Sequence, residues 1–125
     1  MEAVARKDKD GWLALYTPDT HIEDPVGASP FDPKGEGHRG RDRIAAFWDA
    51  TIAATDRLDF EIIASYAAGY EVANHGVITA TLPNGQQMRT EGVFVYRVAA
   101  NGLIESLRAF WEFARAMGTM TAGER

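Results

Sequence analysis

One carboxylate dominates the chemistry that this chain of 125 residues can offer. In the run Glu23-Asp24-Pro25-Val26-Gly27, a short strand from Thr20 to Asp24 meets residues that end strands. Pro25 has no N–H to give a ladder, and Gly27 permits a sharp exit. Alternation along the strand sends Ile22 and Asp24 to one face and His21 and Glu23 to the other. Ile22 marks the buried face, so Asp24 points inward. A buried carboxylate is destabilising unless it is paired or protonated, and a carboxyl with a raised pKa is suited to general-base work. The same placement suits a strand-end Asp that accepts hydrogen bonds from the following turn, and the motif alone leaves both readings open. Glu23 faces away, so no paired-carboxylate mechanism is expected.

Composition narrows what else could react. There is no cysteine, which excludes disulfides, thiolate zinc sites and Cys nucleophiles and leaves carboxylates, His, Tyr and Ser/Thr. His21, His38 and His75 lie far apart without metal-ligand spacing, so neither a metal nor a cofactor is expected. The net charge is −5, and the basic residues are scattered apart from Arg39, Arg41 and Arg43, which Gly40 and Asp42 interrupt. That pattern argues against a nucleic-acid partner. Hydrophobic content of 46% includes no run long enough to span a membrane and no charged-then-apolar leader, so the expected location is the cytoplasm. One domain, residues 1–125, is expected, burying roughly two-thirds of its unfolded surface.

The elements that must hold Asp24 follow from periodicity and turn residues. Residues 2 to 7 read as the tail of a helix, and Asp8-Lys9-Asp10-Gly11 ends it and caps a second short helix carrying Trp12, Leu13, Leu15 and Tyr16. Pro18-Asp19 turns the chain into the strand that bears Asp24. A Pro/Gly-rich loop from Val26 to Gly40 follows, of a length that usually serves as a pocket rim or lid. Ile44, Phe47, Trp48, Thr51 and Ile52 then fall on one helical face. Beyond them, Leu58 to Tyr66, Val72 to Leu82, Met88 to Val98 and Leu103 to Phe113 read as strands. Asn84-Gly85 and Asn101-Gly102 join successive strands as hairpins, giving an antiparallel meander. The fold class is therefore α+β, a curled antiparallel sheet with N-terminal helices on its concave face. Val93, Phe94 and Val95, with Ala109, Phe110 and Trp111, make both sheet faces apolar, which favours a homodimer. Gly118 to Arg125 reads as a loose tail.

Glu-Asp-Pro-Val-Gly, the Gly-Arg-Asp-Arg-Ile-Ala-Ala-Phe-Trp helix at residues 40 to 48, Gly92-Val93-Phe94-Val95-Tyr96-Arg97 and Ser106-Leu107-Arg108-Ala109-Phe110-Trp111 form a combination that resembles one family. It is the ketosteroid isomerase branch of the nuclear transport factor two-like, or SnoaL-like, superfamily. The likeness covers residues 8 to 113, and the Ser-Pro-Phe-Asp-Pro loop at residues 29 to 33 resembles actinobacterial members. The resemblance implies a cone-shaped pocket and a proton moved from the carbon alpha to a ketone to the far end of the dienolate, with Asp24 as the base.

The resemblance also marks departures. The family's protonated oxyanion-hole Asp falls on Phe94, which donates nothing, and the position of its catalytic Tyr falls before Met1. Tyr16 matches a supporting tyrosine, and Trp48 replaces another. Tyr96, on the face of Phe94, and Trp111, which matches a pocket tryptophan, are the groups that could donate instead, although aromatic core is the common role at such positions. Val26, Phe47, Trp48, Asn74, Phe94 and Tyr16 are the expected ligand contacts, with Asn74 inside and His75 on the outer side. The leading function is isomerisation of a hydrophobic ketone, a steroid or related enone. The alternative is a protein that binds such a ligand without turnover. Polyketide-cyclase-like chemistry or a purely structural dimer rank lower, because the first lacks a second acid and the second leaves Asp24 without purpose.

Overall fold

The computed structural model describes residues 2–121. It begins with two very short helices, α1 (Glu2–Ala5) and α2 (Lys9–Leu13). The Asp8 carboxylate caps α2 by accepting from the Gly11 N–H at 3.0 Å, one of the donors a helix start leaves unpaired. Neither helix would persist alone. What holds them is burial of Val4 and Trp12 and a clamp made by Lys7. Lys7 joins the helices with a φ of 60°, and its ammonium donates to Ile52 O at 2.8 Å, to Thr55 O and to Thr55 Oγ1 at 3.1 Å.

Strand β1 (Tyr16–Glu23) is longer than the sequence suggests. Pro18 and Asp19, expected to turn the chain, are exposed residues inside it. Their turn chemistry is absorbed by an irregularity in pairing between Tyr16 and His21, and Pro18 is tolerated where a regular ladder is interrupted. Tyr16 therefore opens the strand instead of closing α2. From Thr20 onward alternation is strict, with Thr20 and Ile22 fully buried. The Thr20 hydroxyl donates to Glu105 O at 3.1 Å, so its burial leaves no orphaned donor.

After β1 the chain makes a loop held by Asp32, whose carboxylate accepts from Gly37 N at 2.7 Å and Glu36 N at 3.2 Å. The two-residue strand β2 (His38–Arg39) then pairs with His21 and Ile22. Helix α3 (Arg41–Ala50) buries Ile44, Phe47 and Trp48 on the face expected from their spacing, and a short 3-10 turn at Ile52–Ala54 completes it. The guanidinium of Arg41 donates to Tyr16 O at 2.6 Å, tying the start of α3 to the start of β1.

Four strands follow, β3 (Arg57–Ala68), β4 (Glu71–Thr81), β5 (Gln87–Val98) and β6 (Ile104–Phe110). The hairpins close at both Asn-Gly pairs, where Gly85 and Gly102 take a φ of 88° that suits glycine. The sheet order is β2-β1-β6-β5-β4-β3. All neighbours are antiparallel except β1 and β6, which run parallel. The expected antiparallel meander is present, and the one parallel pair joins it because β1 enters from the helices beside the last strand instead of through a hairpin.

The last expected strand also ends early. Phe113 lies in helix α4 (Phe113–Met117), and its bulky apolar run had read as β. Because β6 pairs only with Val93 to Val98, the first half of β5 would be left with free backbone groups. The segment after α4 supplies partners: Thr119 Oγ1 accepts from Arg89 N at 2.7 Å, and Thr121 Oγ1 accepts from Gln87 N at 3.0 Å. Within the expected tail, Gly118 to Thr121 is thus bonded to the sheet, and residues 122–125 lie outside the described residues.

The core is one cluster between the helices and the concave face, joining Trp12, Tyr16, Ile22, Ile44, Phe47, Trp48, Phe94, Leu107 and Ala109. Among the described residues, no helix is long and apolar enough to cross a membrane.

Candidate active site

Register fixes which side chains share the concave face. Phe94 pairs with Ala109 and Tyr96 with Leu107, while Leu107 pairs with Ile22 across the parallel join. The row Tyr96, Leu107, Ile22 therefore crosses three strands. In the next row Phe94 and Ala109 lead to Asp24, which follows the end of β1. The Val26 N–H donates to Ala109 O at 2.8 Å and holds the chain level there, and the intervening Asp24–Pro25 peptide is cis. Ala109 is fully buried on the face that Asp24 shares.

Asp24 is half-buried as a residue, yet protein surrounds its carboxyl so closely that desolvation holds it above the usual carboxylate range. One bond works in the opposite direction. Trp111 Nε1 donates to Asp24 Oδ1 at 2.6 Å, which favours the ionised form without reversing the shift. Trp111 was expected as a donor to a ligand oxygen, and its single N–H instead goes to Asp24. Eighty-seven residues separate the two, so no local pattern could announce the pair. Among the described residues no side chain donates to Oδ2, which remains the free acceptor.

Two phenols lie nearby. Tyr96 is half-buried, and burial followed by the charge of Asp24 pushes its phenol up to about 12. Tyr16 is 3% exposed. Burial first, then Tyr96 and Asp24, push its phenol far above its ordinary value. Its ring packs on Trp12 at 5.0 Å, and Trp12 packs on Trp48 at 5.1 Å. Phe94 belongs to the same core cluster, is 6% exposed and offers no hydrogen bond.

The other expected contacts divide. Phe47 and Trp48 belong to the same buried cluster. Asn74 shares the concave face with Phe94 and Tyr96 around a cavity of about 30 Å³, and its Oδ1 accepts from Ser65 Oγ at 2.6 Å. Val26 lines a different space, an outer groove of about 490 Å³ that it shares with Val93, Phe110 and the far side of Trp111. His75 lies on that outer face, 2.8 Å from Glu91, whose carboxyl the hydrogen bond from His75 holds below its ordinary range. Glu23 points outward to Arg108 at 2.8 Å. The loop after Asp24 brings Phe31 beside His38 and Phe47 around a groove of about 420 Å³. His38 packs on Phe47 at 4.9 Å, and burial pushes its imidazole pKa down.

Chemically, the concave face offers a carboxylate of raised basicity with one oxygen pinned and one free, set among aromatic and aliphatic side chains. That arrangement can accept a proton from a carbon acid held against it. Among the described residues no cluster of His, Cys, Asp and Glu is suited to a metal.

Known proteins resemble this chain in sequence and fold. Residues 1–107 match the family model described as a SnoaL-like domain. A steroid Delta-isomerase of Nocardioides simplex is 36% identical over 112 residues, spanning 89% of this chain and 82% of that protein. Among solved structures, the Delta 5-3-ketosteroid isomerase from Mycobacterium sp. superposes with a TM-score of 0.85 at 38% identity, covering 96% of this chain and 89% of that one. A Mycobacterium tuberculosis protein in complex with estradiol-17beta-hemisuccinate superposes with a TM-score of 0.84 at 35% identity, covering 97% and 91%.

Proposed function

The chain belongs to the SnoaL-like domain family, and from that premise we propose that it isomerises a hydrophobic ketone, a steroid or related enone, with Asp24 as the general base. The observation that carries the reading is the asymmetric state of Asp24: Oδ1 fixed by Trp111 at 2.6 Å, Oδ2 free, and the whole group made basic by desolvation. In the reaction, Oδ2 takes a proton from the carbon between the carbonyl and the isolated double bond. The C–H electrons form a dienolate, and the same proton returns at the far end of the conjugated system, leaving the double bond in conjugation with the ketone. No oxidant, metal or water enters this balance. Similarity to steroid isomerases at 36% and 38% identity supports the substrate class. Trp111 acts on the base in this scheme and not on the ketone oxygen.

A second reading, binding without turnover, is favoured by one observation: Phe94, buried opposite Ala109 in the row that leads to Asp24, cannot stabilise negative charge on a ligand oxygen. The test is the ultraviolet absorbance of a beta,gamma-unsaturated ketosteroid incubated with the protein and with Asp24→Asn. Conjugated enone formed by the native chain and not by the variant is the expected result. Equal rates from both proteins would refute Asp24 as the base. Saturable steroid binding without product would establish the second reading.

The outer face of the sheet supports a homodimer. Val93 and Phe110, exposed by 38% and 43%, lie there as neighbours in register, flanked by ion pairs that keep the surrounding surface polar.

A further inference from the structure

The concave face has little room of its own for the ligand proposed for it. Sites for small molecules enclose about 300–1,000 Å³, whereas the cavity lined by Asn74, Phe94 and Tyr96 holds about 30 Å³. A ligand whose alpha carbon meets Asp24 must therefore extend beyond that cavity, and two grooves have the volume to take its far end. One, of about 490 Å³, lies on the outer side with Val93 and Phe110. The other, of about 420 Å³, opens where the loop after Asp24 faces α3.

This second groove continues the concave face. His38 pairs in register with Ile22, Ile22 with Leu107, and Leu107 with Tyr96. One row of side chains therefore runs from His38 across four strands, and Asp24 stands two residues beyond Ile22 on the same side. The His38 ring packs on Phe47 at 4.9 Å, and Phe47 belongs to the buried cluster that holds Ile22 and Phe94. From the other direction, Trp111 meets Phe113 at 6.3 Å, Phe113 meets Phe31 at 6.2 Å, and Phe31 lines the groove. The loop keeps Phe31 in place. Ser29 and Asp32 exchange backbone hydrogen bonds at 3.0 Å, the Asp32 carboxylate accepts from two N–H groups, and His21 Nε2 lies 2.9 Å from Glu36 O. A β-carbon at Gly37 would lie 2.2 Å from that same nitrogen. The loop is a braced rim, and the groove beside it is preformed.

His38 has bonding capacity that the other imidazoles have used. His21 and His75 are bonded to Glu36 O and to Glu91, whereas among the described residues no protein group bonds to either ring nitrogen of His38. Burial lowers its pKa, so at neutral pH it carries one N–H donor and one acceptor nitrogen. Asp42 and Arg43 set one charge of each sign at the groove, which favours no net charge in a ligand. We propose that this groove receives the end of the ketone ligand away from Asp24, and that His38 selects ligands carrying a neutral oxygen, as carbonyl or hydroxyl, at that end. The proposal rests on the reading of the concave face as a ketone site and adds the class of substrate: a rigid, neutral, apolar ketone oxygenated at both ends. His38 is a ligand contact in it and takes no part in the proton transfer.

Androstenedione, a conjugated ketone with a second carbonyl at its far end, and the analogue without that second carbonyl test the selection at equilibrium, with no turnover required. Isothermal titration calorimetry should show the native protein binding androstenedione about three- to tenfold more tightly than the analogue. His38→Phe keeps a flat ring against Phe47 and removes both nitrogens, and it should abolish the preference. His38→Gln regains a donor and should restore part of it. The nitrogen-15 resonances of the His38 imidazole should move on adding androstenedione and stay in place with the analogue. Phe31→Ala should weaken both ligands together, because it removes a wall common to them. No preference in the native protein, or a native preference kept by His38→Phe, would overturn the proposal, as would failure to bind either ketone. Should His38→Phe not fold, the imidazole resonances of the native protein decide alone. The two readings fail separately. Isomerisation unaffected by Asp24→Asn sinks the base and leaves the preference standing, whereas no preference beside Asp24-dependent turnover sinks the groove alone.

Discussion

Replacing Trp111 with Phe should change the acidity of Asp24 while leaving the sheet in place. The substitution keeps an aromatic ring and deletes one donor, the N–H that meets Asp24 Oδ1 at 2.6 Å. The backbone at this point is constrained from behind: a β-carbon added at Gly92 would lie 2.3 Å from Phe110 O and 3.0 Å from the Trp111 β-carbon, so β5 already packs against the end of β6. A hydrogen bond to a charged group contributes about 1.5–3 kcal/mol. Because about 1.4 kcal/mol corresponds to a tenfold change in proton affinity, losing this bond should move the acid limb of kcat/KM against pH upward by about one to two pH units. The direction follows from the bond's preference for the ionised carboxylate. On the acid limb the variant should be slower than the native protein, and above it the two should approach each other. Carbon-13 NMR of the Asp24 side-chain carboxyl reports the same displacement whether or not turnover occurs. Rate and carboxyl titration curves that superimpose on the native ones would refute the claim that Trp111 tunes the base.

Asp24→Asn should raise the melting temperature at pH 8. The folded-state pKa lies above the unfolded one, so the contribution of Asp24 to stability is complete below the unfolded carboxylate value and is lost as pH rises through the folded value. The neutral amide escapes that loss. Calorimetry should show its advantage shrinking toward pH 4, and a native protein that melts higher than the variant at pH 8 would contradict the burial argument. On the outer face, Val93→Lys combined with Phe110→Glu should halve the mass seen by sedimentation equilibrium while leaving concave-face chemistry unchanged. A native chain that sediments as a monomer would remove the homodimer.

Much of this molecule was legible because its signals are local. Ile22 and Asp24 share a face by simple alternation, the α3 stripe of Ile44, Phe47 and Trp48 repeats at helical spacing, and two Asn-Gly pairs place the hairpins. The same period of two sent Asn74 and His75 to opposite faces, and the family resemblance put Asn74 on the inner one. What escaped depends on distant partners. Pro18 and Asp19 carry turn chemistry that strand pairing overrides, and Phe113 looks like β because nothing in its neighbours reveals that β6 has run out of ladder. Trp111 was recognisable as a pocket residue, but the atom it bonds belongs to a segment at the other end of the chain.

The parallel join between β1 and β6 sets an order of events during synthesis. Asp24 leaves the ribosome early, in a segment whose neighbour in the sheet is the last strand to be made. Until residues 104 to 111 have emerged, Asp24 has no Ala109 beside it and no indole to hold Oδ1. The β3-β4-β5 meander, built from neighbouring segments, can pair first. A nascent or prematurely terminated chain is therefore a curled sheet carrying an unassembled acid. The surroundings of Asp24 are completed in one step, when the final strand slots between the first and the fifth, and a chain ended before residue 104 should keep much of the meander and have none of the site.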